Sequence, residues 1–373
     1  MANRSISDEG TVDMLQFVGS VEHNITTTLS YDPMYYEVEK YSWIIFSPIF
    51  LLIGLIGNFL NGYVLCKLKF YKNSTYTLLF ILAFADSAVL IVGLIRYFVM
   101  YMSKFDIRVV SSFSCKFSLF LIYFSMQMSS WILVLVTVIR FMKTFIPLRR
   151  KSFKDFTVKK TLICLGIITI ILVGINLHFF WTNGITADNK CNSLTFAYFV
   201  FDEKVFVYID LLFLSVFPAV IMIVLNSMIA FELNKLTVKR RRMSQSGPLA
   251  QGKKQKSTKN VTRMLLVTTT YFIIATIPIC VFFIVDSYVR QEASTQQLDS
   301  LGIAWTFCYL IQFSHFAINF YLYTATNKKF RREFSKLTQD VYHRISTSSQ
   351  ITIKAPSREY SSDSKRISGT NST

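Results

Sequence analysis

The chain has 373 residues, of which 52% are apolar and only 17% are charged, and its formal net charge is +18. This excess of apolar residues, which includes 35 phenylalanines, excludes a single soluble domain. The positive charge lies in short gaps between long apolar runs, unlike the charge of nucleic-acid-binding proteins. The composition therefore predicts an integral membrane protein.

The first 40 residues form a polar segment ahead of any apolar run. They contain seven acidic and two basic residues, with N-x-Ser/Thr sequons at Asn3 and Asn24. Sequons also arise by chance, and another lies at Asn371, so they carry weight only together with the topology. A signal-peptide pattern is not present. We expect residues 1–40 to be a glycosylated, poorly ordered extracellular tail.

Seven apolar segments follow, each near the length that a membrane-spanning helix needs. They cover residues 42–66, 77–102, 113–142, 161–181, 205–233, 262–288 and 301–325. Basic residues concentrate in alternate gaps, with seven against one acidic residue at 143–160 and ten against none at 235–263. By the positive-inside rule these gaps are cytoplasmic. We predict an all-α bundle of seven transmembrane helices over 41–326, in the plasma membrane with the N-terminus outside.

The region after the seventh segment has two parts. Phe330 and Phe334 lie four residues apart with cations between them, a pattern typical of a short amphipathic helix on the inner leaflet, here 327–338. Residues 339–373 are rich in Ser and Thr and lack apolar periodicity, which predicts a disordered cytoplasmic tail with candidate phosphorylation sites. The loop at 239–260 is polar and basic, and we expect it to be flexible.

The positions of the cysteines indicate one disulfide. Cys115 opens the third segment and Cys191 lies in the gap before the fifth, both on the predicted oxidising side. We expect them to be joined, so that the loop covers the mouth of the bundle; two free thiols are the alternative. The other cysteines lie within apolar segments and are interpreted as small core residues: Cys66, Cys164, Cys280 and Cys308.

Polar side chains within apolar segments are costly and are therefore candidates for function. The set predicted to share a polar core comprises Asn58, Asp86, Ser129, Asn319 and Tyr323. A lone carboxylate at mid-membrane depth needs partners, which the others supply directly or around water or Na⁺. Asp86, Ser129 and Asn319 are the expected Na⁺ ligands. The alternative is a static hydrogen-bonded cluster that fixes helix packing.

Residues 40–335 resemble a rhodopsin-like (class A) G-protein-coupled receptor. The matching residues, taken together over seven helices, are Gly57-Asn58, Leu82 to Asp86, Cys115, Arg140, Cys191, Pro218, Phe272, Pro278 and Asn319 to Tyr323. The resemblance implies outward movement of the sixth helix on agonist binding, with Phe272 and Pro278 in the switch. It also implies that Arg140 helps to receive a G-protein α-subunit, and Pro147 is a second candidate coupling residue.

Several residues depart from the family pattern. Ile139 stands where the family has an acidic residue before the arginine, so the usual carboxylate restraint on Arg140 is absent. Thr276 replaces the aromatic residue two positions before the sixth-helix proline, and Phe320 replaces the proline that usually follows the seventh-helix asparagine. Altered basal activity is therefore expected.

Two absences narrow the ligand class. Ile122 occupies the third-helix position where amine receptors carry an aspartate, and 301–325 lacks a lysine that could bind retinal. The run from His315 to Tyr323, followed by Lys329-Phe330-Arg331, resembles invertebrate neuropeptide receptors, including those for FMRFamide-like and myosuppressin-type peptides. We expect a neuropeptide receptor, with a non-peptide ligand as the alternative.

Helix positions suggest which side chains form the walls of the ligand pocket. They are Arg96, Tyr97, Tyr123, Met126, Gln127, Asp210, Phe283, Asp286, Trp305, Tyr309 and Gln312. Asp210 and Asp286 are candidates to pair with a cationic peptide side chain, and the aromatic residues are candidates to stack on it. For Arg96, an internal ion pair with one of those carboxylates is the alternative. For Met126 and Phe283, ordinary packing is the alternative.

Other classes of membrane protein fit less well. A transporter would use internal repeats and a continuous file of intramembrane charges. An intramembrane hydrolase would need a nucleophile–base pair or a metal-ligand set, which His178 and His315 do not form by sequence. We therefore expect a receptor that is not an enzyme and has no cofactor apart from Na⁺. Its expected partners are a peptide, a heterotrimeric G protein, arrestin, kinases and membrane lipids, and not nucleic acid.

Overall fold

The structure is a computed structural model that describes residues 33–145, 157–243, 252–289 and 293–353. Several predicted features lie wholly or partly outside these residues: residues 1–32 of the predicted extracellular tail with the glycosylation sites Asn3 and Asn24, the coupling residue Pro147, residues 244–251 of the basic loop, and the end of the cytoplasmic tail at 354–373.

Seven helices within the described residues are long and apolar enough to cross a membrane, which confirms the seven predicted segments. They are α1 (Pro33–Lys67), α2 (Ser74–Ser103), α3 (Ser112–Phe145), α4 (Val158–Asn176), α5 (Phe196–Phe201, Val207–Leu211 and Phe217–Met243), α6 (Gly252–Val289) and α7 (Thr295–Thr326). A further helix, α8 (Lys328–Ile353), follows the seventh span. The chain therefore forms a helical bundle.

Two of the helices contain π-helical turns. In α2 the turn is Leu90–Leu94, and in α5 the turns are Asp202–Phe206 and Leu212–Val216. Such wide turns are rare and are often found at functional sites. In both helices they lie in the half that carries predicted pocket residues, so they set which side chains face the interior.

The helices extend beyond the apolar runs that predicted them. α1 starts at Pro33, where the fixed φ of proline suits a first helical residue. α5 starts at Phe196, because the hydroxyl of Thr195 accepts a hydrogen bond from the Tyr198 amide at 3.3 Å. Hydropathy detects the uninterrupted apolar part of a helix, and charged residues within 37–40 and 202–204 separate these first turns from it.

One end of the bundle carries secondary structure within the gap between the fourth and fifth apolar segments. Strands β1 (Asn183–Ile185) and β2 (Cys191–Ser193) pair antiparallel after a short helical turn, Phe179–Thr182. A disulfide joins Cys191 to Cys115 near the start of α3, as predicted. We call this end of the bundle the disulfide end, and the opposite end, where the α1–α2 connection lies, the basic end.

The bundle is closely packed where α1 meets α2 and α7. A Cβ atom built on Gly54 would lie 2.4 Å from Leu90 Cδ1 and 3.0 Å from the Cα atom of Ala317. Both neighbours are buried, so they have little room to retreat. Because Gly54 has no side chain, these three helices can approach each other closely.

α8 is longer than the predicted amphipathic helix and continues through Ile353 into the segment expected to be disordered. Once a helix is nucleated, adding further residues to it does not require a buried apolar face. Such an extension leaves no apolar periodicity in the sequence, so the sequence did not predict it. Phe330 is buried, and its ring lies 5.8 Å from the ring of Phe320, while Phe334 lies 5.2 Å from Phe320. These rings therefore fix the start of α8 to α7 instead of facing only lipid.

Candidate functional site

Two adjoining cavities lie at the disulfide end, beside the hairpin and between the helices. The larger has a volume of about 210 Å³, and the smaller about 120 Å³. They share Arg108, Leu119 and Tyr123 as common walls. Predicted pocket residues supply walls of one or both: Arg96, Tyr97, Tyr123, Met126, Asp210, Phe283 and Tyr309. The structure thus brings these side chains to one region of the bundle.

Four other predicted pocket residues do not line these two cavities: Gln127, Asp286, Trp305 and Gln312. Gln127 is fully buried behind the wall, where its amide nitrogen donates to Asp210 at 2.8 Å and its amide oxygen accepts from Asn176 at 2.6 Å. Gln127 therefore positions Asp210 from behind. The sequence does not give the rotation of α3 about its axis, which turns Gln127 toward Asp210 and Asn176 and away from these two cavities.

The larger cavity is lined by three carboxylates. Asp202, Glu203 and Asp210 come from α5, and Arg108 is a cation in the same wall set. The rings of Tyr123 and Phe283 line the same cavity as Asp210. An acidic group beside aromatic rings is a suitable site for a cationic group of a ligand.

Asp202 ties three elements together. Its Oδ2 accepts from the Ser193 hydroxyl at 2.6 Å and from the Asn183 amide at 3.0 Å, while its Oδ1 lies 3.7 Å from Nε2 of His178. These partners lie on β2, on β1 and next to α4, so Asp202 joins the hairpin to the outer part of α5. No sequence pattern indicates this residue, because its partners are spread over the connection before α5.

A second ionic cluster joins α2 to the connection before α3. Asp106 accepts from Arg96 at 3.3 Å and from Arg108 at 2.6 Å. Arg96 was expected to pair, if internally, with Asp210 or Asp286, and that expectation was wrong because the connection folds Asp106 back onto α2. Partial burial alone would raise the pKa of Asp106, but the hydrogen bonds from Arg108 and the charge of Arg96 outweigh it and lower that pKa to about 2.

We predict that Asp106→Asn lowers the free energy of unfolding by about 2 kcal/mol, equally at every pH from 5 to 8. A carboxylate with a lowered pKa stabilises the fold above its ordinary pKa of 3.8, and loses that effect only as the pH falls through about 2. Thermal unfolding of the purified protein at several pH values measures this. Asp188→Asn, on the exposed hairpin turn, is the control. If the difference in unfolding free energy between the parent protein and Asp106→Asn changed between pH 5 and 8, the lowered pKa of Asp106 would be contradicted.

Aromatic side chains form a wall beneath the smaller cavity. Trp43 of α1 stacks on Tyr97 at 4.0 Å between ring centres and donates its indole N–H to Thr306 at 3.2 Å. Trp305 lies 4.8 Å from Tyr309, so it supports a cavity wall from the outside. Trp43 is fully buried, although its position in the sequence of α1 does not indicate that it faces the interior.

Below these cavities, a buried carboxylate lies at the centre of the bundle. Asp86 accepts from the Ser129 hydroxyl at 2.6 Å and from the Asn319 amide at 2.6 Å, and its side chain is fully buried. Asn58 donates to the backbone oxygen of Phe316 at 3.3 Å. The predicted polar core is thus built from α1, α2, α3 and α7. Its hydrogen bonds connect helices that apolar packing alone would leave free to slide.

Several buried side-chain atoms of α1 and α7 have no hydrogen-bond partner among the described residues. They include the side-chain oxygen of Asn319, the Tyr323 hydroxyl and the whole amide of Asn61. The carboxylate of Asp86, the hydroxyl of Ser129 and the free oxygen of Asn319 form a set of oxygen atoms, the type of ligand that hard cations prefer. The residues present therefore fit a small cation.

The predicted switch residues lie on α6, and one of them contacts α7. The ring of Phe272 is buried and packs edge-on against His315 of α7, with 5.1 Å between ring centres. Thr276 donates its hydroxyl to the backbone oxygen of Phe272 at 2.7 Å, in the turn before Pro278. Pro278 has no backbone N–H, so it removes one helical hydrogen bond of α6.

Arg140 lies near the basic end of α3 and is buried. Its Nε atom has no partner, and among the described residues no acidic side chain forms an ion pair with it. Ile139, where an acidic residue was expected in the family, is fully buried in the apolar core. Within the described residues, Arg140 is therefore not held by a carboxylate, as the sequence predicted.

The fold defines a multi-pass helical membrane protein with a buried polar core and a disulfide-tethered hairpin beside its cavities. Residues 57–323 match the family described as the seven-transmembrane receptors of the rhodopsin family. The match covers more than half of the chain, and the chain belongs to this family. It is therefore a signalling receptor, and receptors of this kind generally bind an extracellular ligand and act on a G protein.

Proposed function

We propose that this protein is a plasma-membrane receptor that binds an extracellular neuropeptide at the disulfide end and activates a heterotrimeric G protein at the basic end. The observation that carries the proposal is the acidic and aromatic lining of the larger cavity, with Asp210 held by Gln127. The N-terminus is then outside, with glycans at Asn3 and Asn24, and the basic gaps face the cytoplasm. The Ser/Thr-rich tail is proposed to bind kinases and arrestin.

The chemistry of the cavity favours a peptide with a cationic side chain. Three carboxylates and the rings of Tyr123 and Phe283 line it, and the one cation among the described lining residues, Arg108, is already paired with Asp106. Amidated peptides with Arg next to an aromatic residue have this combination of groups. The resemblance to FMRFamide-like and myosuppressin-type receptors supports the same class.

The path from the ligand to the G protein is proposed to run through α3 and α6. Gln127 of α3 contacts Asp210, and Ser129, two residues further, contacts Asp86 of the polar core. Phe283 of α6 lines the same cavity, and Phe272 lies between that level and the basic end. A ligand that engages Asp210 and Phe283 can therefore bias both α3 and α6, and outward movement of α6 would open access to Arg140.

Dissociation of G proteins in cells that express the receptor tests this proposal. A panel of α-subunits is combined with a library of amidated neuropeptides, with and without Arg140→Ala. We expect one peptide group to give a saturable response that Arg140→Ala abolishes. If the protein reaches the cell surface but shows neither a response to any peptide nor a basal signal, the assignment of a peptide ligand is wrong. Membership of the family is unaffected by that result.

We predict that Asp210→Asn lowers the potency of the active peptide by about tenfold or more. A charge-assisted hydrogen bond contributes about 1.5–3 kcal/mol, and 1.4 kcal/mol corresponds to a factor of ten. Concentration–response curves measure the change, with Asp188→Asn as a carboxylate control on the exposed hairpin. A peptide whose cationic side chain is replaced by a neutral isostere should lose potency on the parent receptor only. Unchanged potency of every agonist would remove Asp210 from the site.

We also propose that Asp86, Ser129 and Asn319 bind Na⁺ in the polar core. The support is the set of oxygen donors around a fully buried carboxylate. Asp86→Asn should abolish any dependence of agonist affinity on Na⁺, with K⁺ salts of equal ionic strength as the control. An unchanged Na⁺ dependence in this variant would favour the static hydrogen-bonded cluster.

A further inference from the structure

An apolar groove runs along the outer surface of the bundle between α1 and α2. It has a volume of about 500 Å³ and extends from Leu55 to Cys66 along α1, which is about 16 Å at the helical rise of about 1.5 Å per residue. Its rims include Phe59 and Phe84, whose side chains are 72% and 65% exposed. The groove is therefore open on the side that faces lipid.

A glycine forms part of the groove floor. A Cβ atom on Gly62 would lie no closer than 3.7 Å to the ring of Phe80, which is an ordinary contact. Glycine is thus not required there for packing between α1 and α2, in contrast to Gly54. Its effect is to keep the groove deep.

Positive charge is placed at the basic end of the same groove. The ammonium group of Lys67 lies 5.4 Å from the ring centre of Tyr63, and Tyr63 lines the groove. Lys69 and Lys72 follow in the α1–α2 connection, and residues 67–73 contain no acidic residue. A cation is therefore held directly beside the basic end of the groove, with two more in the adjoining turn.

The connection that carries these lysines is fixed to the groove wall. The ring of Phe70 stacks on the ring of Phe80 with 4.2 Å between centres and 8° between planes, and Phe80 packs edge-on against Phe84 at 5.2 Å. The lysines at the basic end and the apolar groove are thus parts of one ordered structure.

We propose that this groove binds an anionic phospholipid, with one acyl chain in the groove and the phosphate against Lys67 and Lys69. Charge complementarity identifies the occupant, because an elongated apolar groove that ends at cations matches an acyl chain that ends at an anion. Each Lys near the membrane surface contributes about 1 kcal/mol toward anionic lipid, or about fivefold in affinity. The orientation proposed above makes the cytoplasmic leaflet, which is rich in anionic lipid, the source.

Photochemical labelling in nanodiscs tests the proposal without reference to any agonist. The receptor is placed in phosphatidylcholine nanodiscs with phosphatidylserine that carries a diazirine on one acyl chain, irradiated, digested and mapped by mass spectrometry. We expect labels on the segments 55–66 and 80–87, stronger than with the same diazirine on phosphatidylcholine. Lys67→Gln should lower the labelling with phosphatidylserine about fivefold, and Lys67→Gln with Lys69→Gln further.

Matched variants separate charge from shape. Lys159→Gln with Lys160→Gln removes two exposed cations at the start of α4 and should leave labelling of the groove unchanged. Gly62→Leu, which fills the floor, should reduce labelling by both lipids, whereas Gly62→Ala should not. If Gly62→Leu does not fold, as judged by thermal unfolding, the lysine variants decide alone.

Three results would overturn the proposal. They are equal labelling by the two phospholipids, labelling that is insensitive to Lys67→Gln, and preferential labelling of the same segments by a photoactivatable sterol. A hydroxylamine-sensitive acyl thioester on Cys66, the exposed thiol at the basic end of the groove, would show instead that a covalent chain fills the groove. None of these outcomes depends on whether the receptor binds a peptide, so failure here and failure of the proposed function are distinguishable.

Discussion

Replacing Gly54 with alanine is expected to lower the melting temperature of the receptor by about 2–4 °C. The added Cβ would lie 2.4 Å from Leu90 and 3.0 Å from the backbone of Ala317, so α1, α2 and α7 would have to move apart. Overpacking of this kind costs about 1–3 kcal/mol, which outweighs the about 1 kcal/mol that alanine gains over glycine in a helix. Thermal unfolding of purified protein measures the shift.

Two glycine-to-alanine changes serve as controls. Gly62→Ala lies on the same helix and meets only an ordinary contact, and Gly166→Ala of α4 meets no atom within 4 Å. Both should leave the melting temperature unchanged or raise it slightly. If Gly54→Ala behaves as these controls do, the packing of α1 against α2 and α7 is looser than the distances imply.

The second large effect is expected from Ile139→Asp, which should lower the basal signal of each receptor molecule about tenfold relative to Ile139→Asn. A carboxylate beside Arg140 can form a charge-assisted hydrogen bond worth about 1.5 kcal/mol in the inactive state. Ile139 is fully buried, so both substitutions also pay for burying a polar group and should reduce the amount of folded receptor.

The comparison with asparagine is therefore essential, because asparagine keeps the shape and the polar character of the side chain but removes the charge. Basal G-protein dissociation is divided by surface expression measured on the same cells, so that loss of folded receptor does not count as loss of signal. Equal basal signals per receptor for Ile139→Asp and Ile139→Asn would show that the missing acidic residue does not govern Arg140.

The features that sequence predicted well depend on local composition. The seven spans follow from the length and apolarity of each segment alone, and the pairing of Cys115 with Cys191 from their common side of the membrane. Asp86 could be assigned partners because a buried carboxylate needs them and few polar side chains are available at that depth.

The features that sequence missed depend on geometry that no short segment determines. Whether Gln127 faces a cavity or supports Asp210 is decided by the rotation of α3, and the pairing of Arg96 with Asp106 by the path of a connection between helices. The strands of the hairpin have three residues each, which is too short for an alternating pattern to indicate them.

The π-helical turn of α2 also affects how this receptor can be compared with its relatives. A wide turn accommodates one more residue than a regular helix over the same stretch. A relative whose second helix is regular would align with this chain only if a one-residue gap were placed within Leu90–Leu94. Without that gap, counting from Asp86 would assign the properties of Arg96 and Tyr97 to their neighbours, and substitutions transferred between the two receptors would be made one position away from the intended side chain.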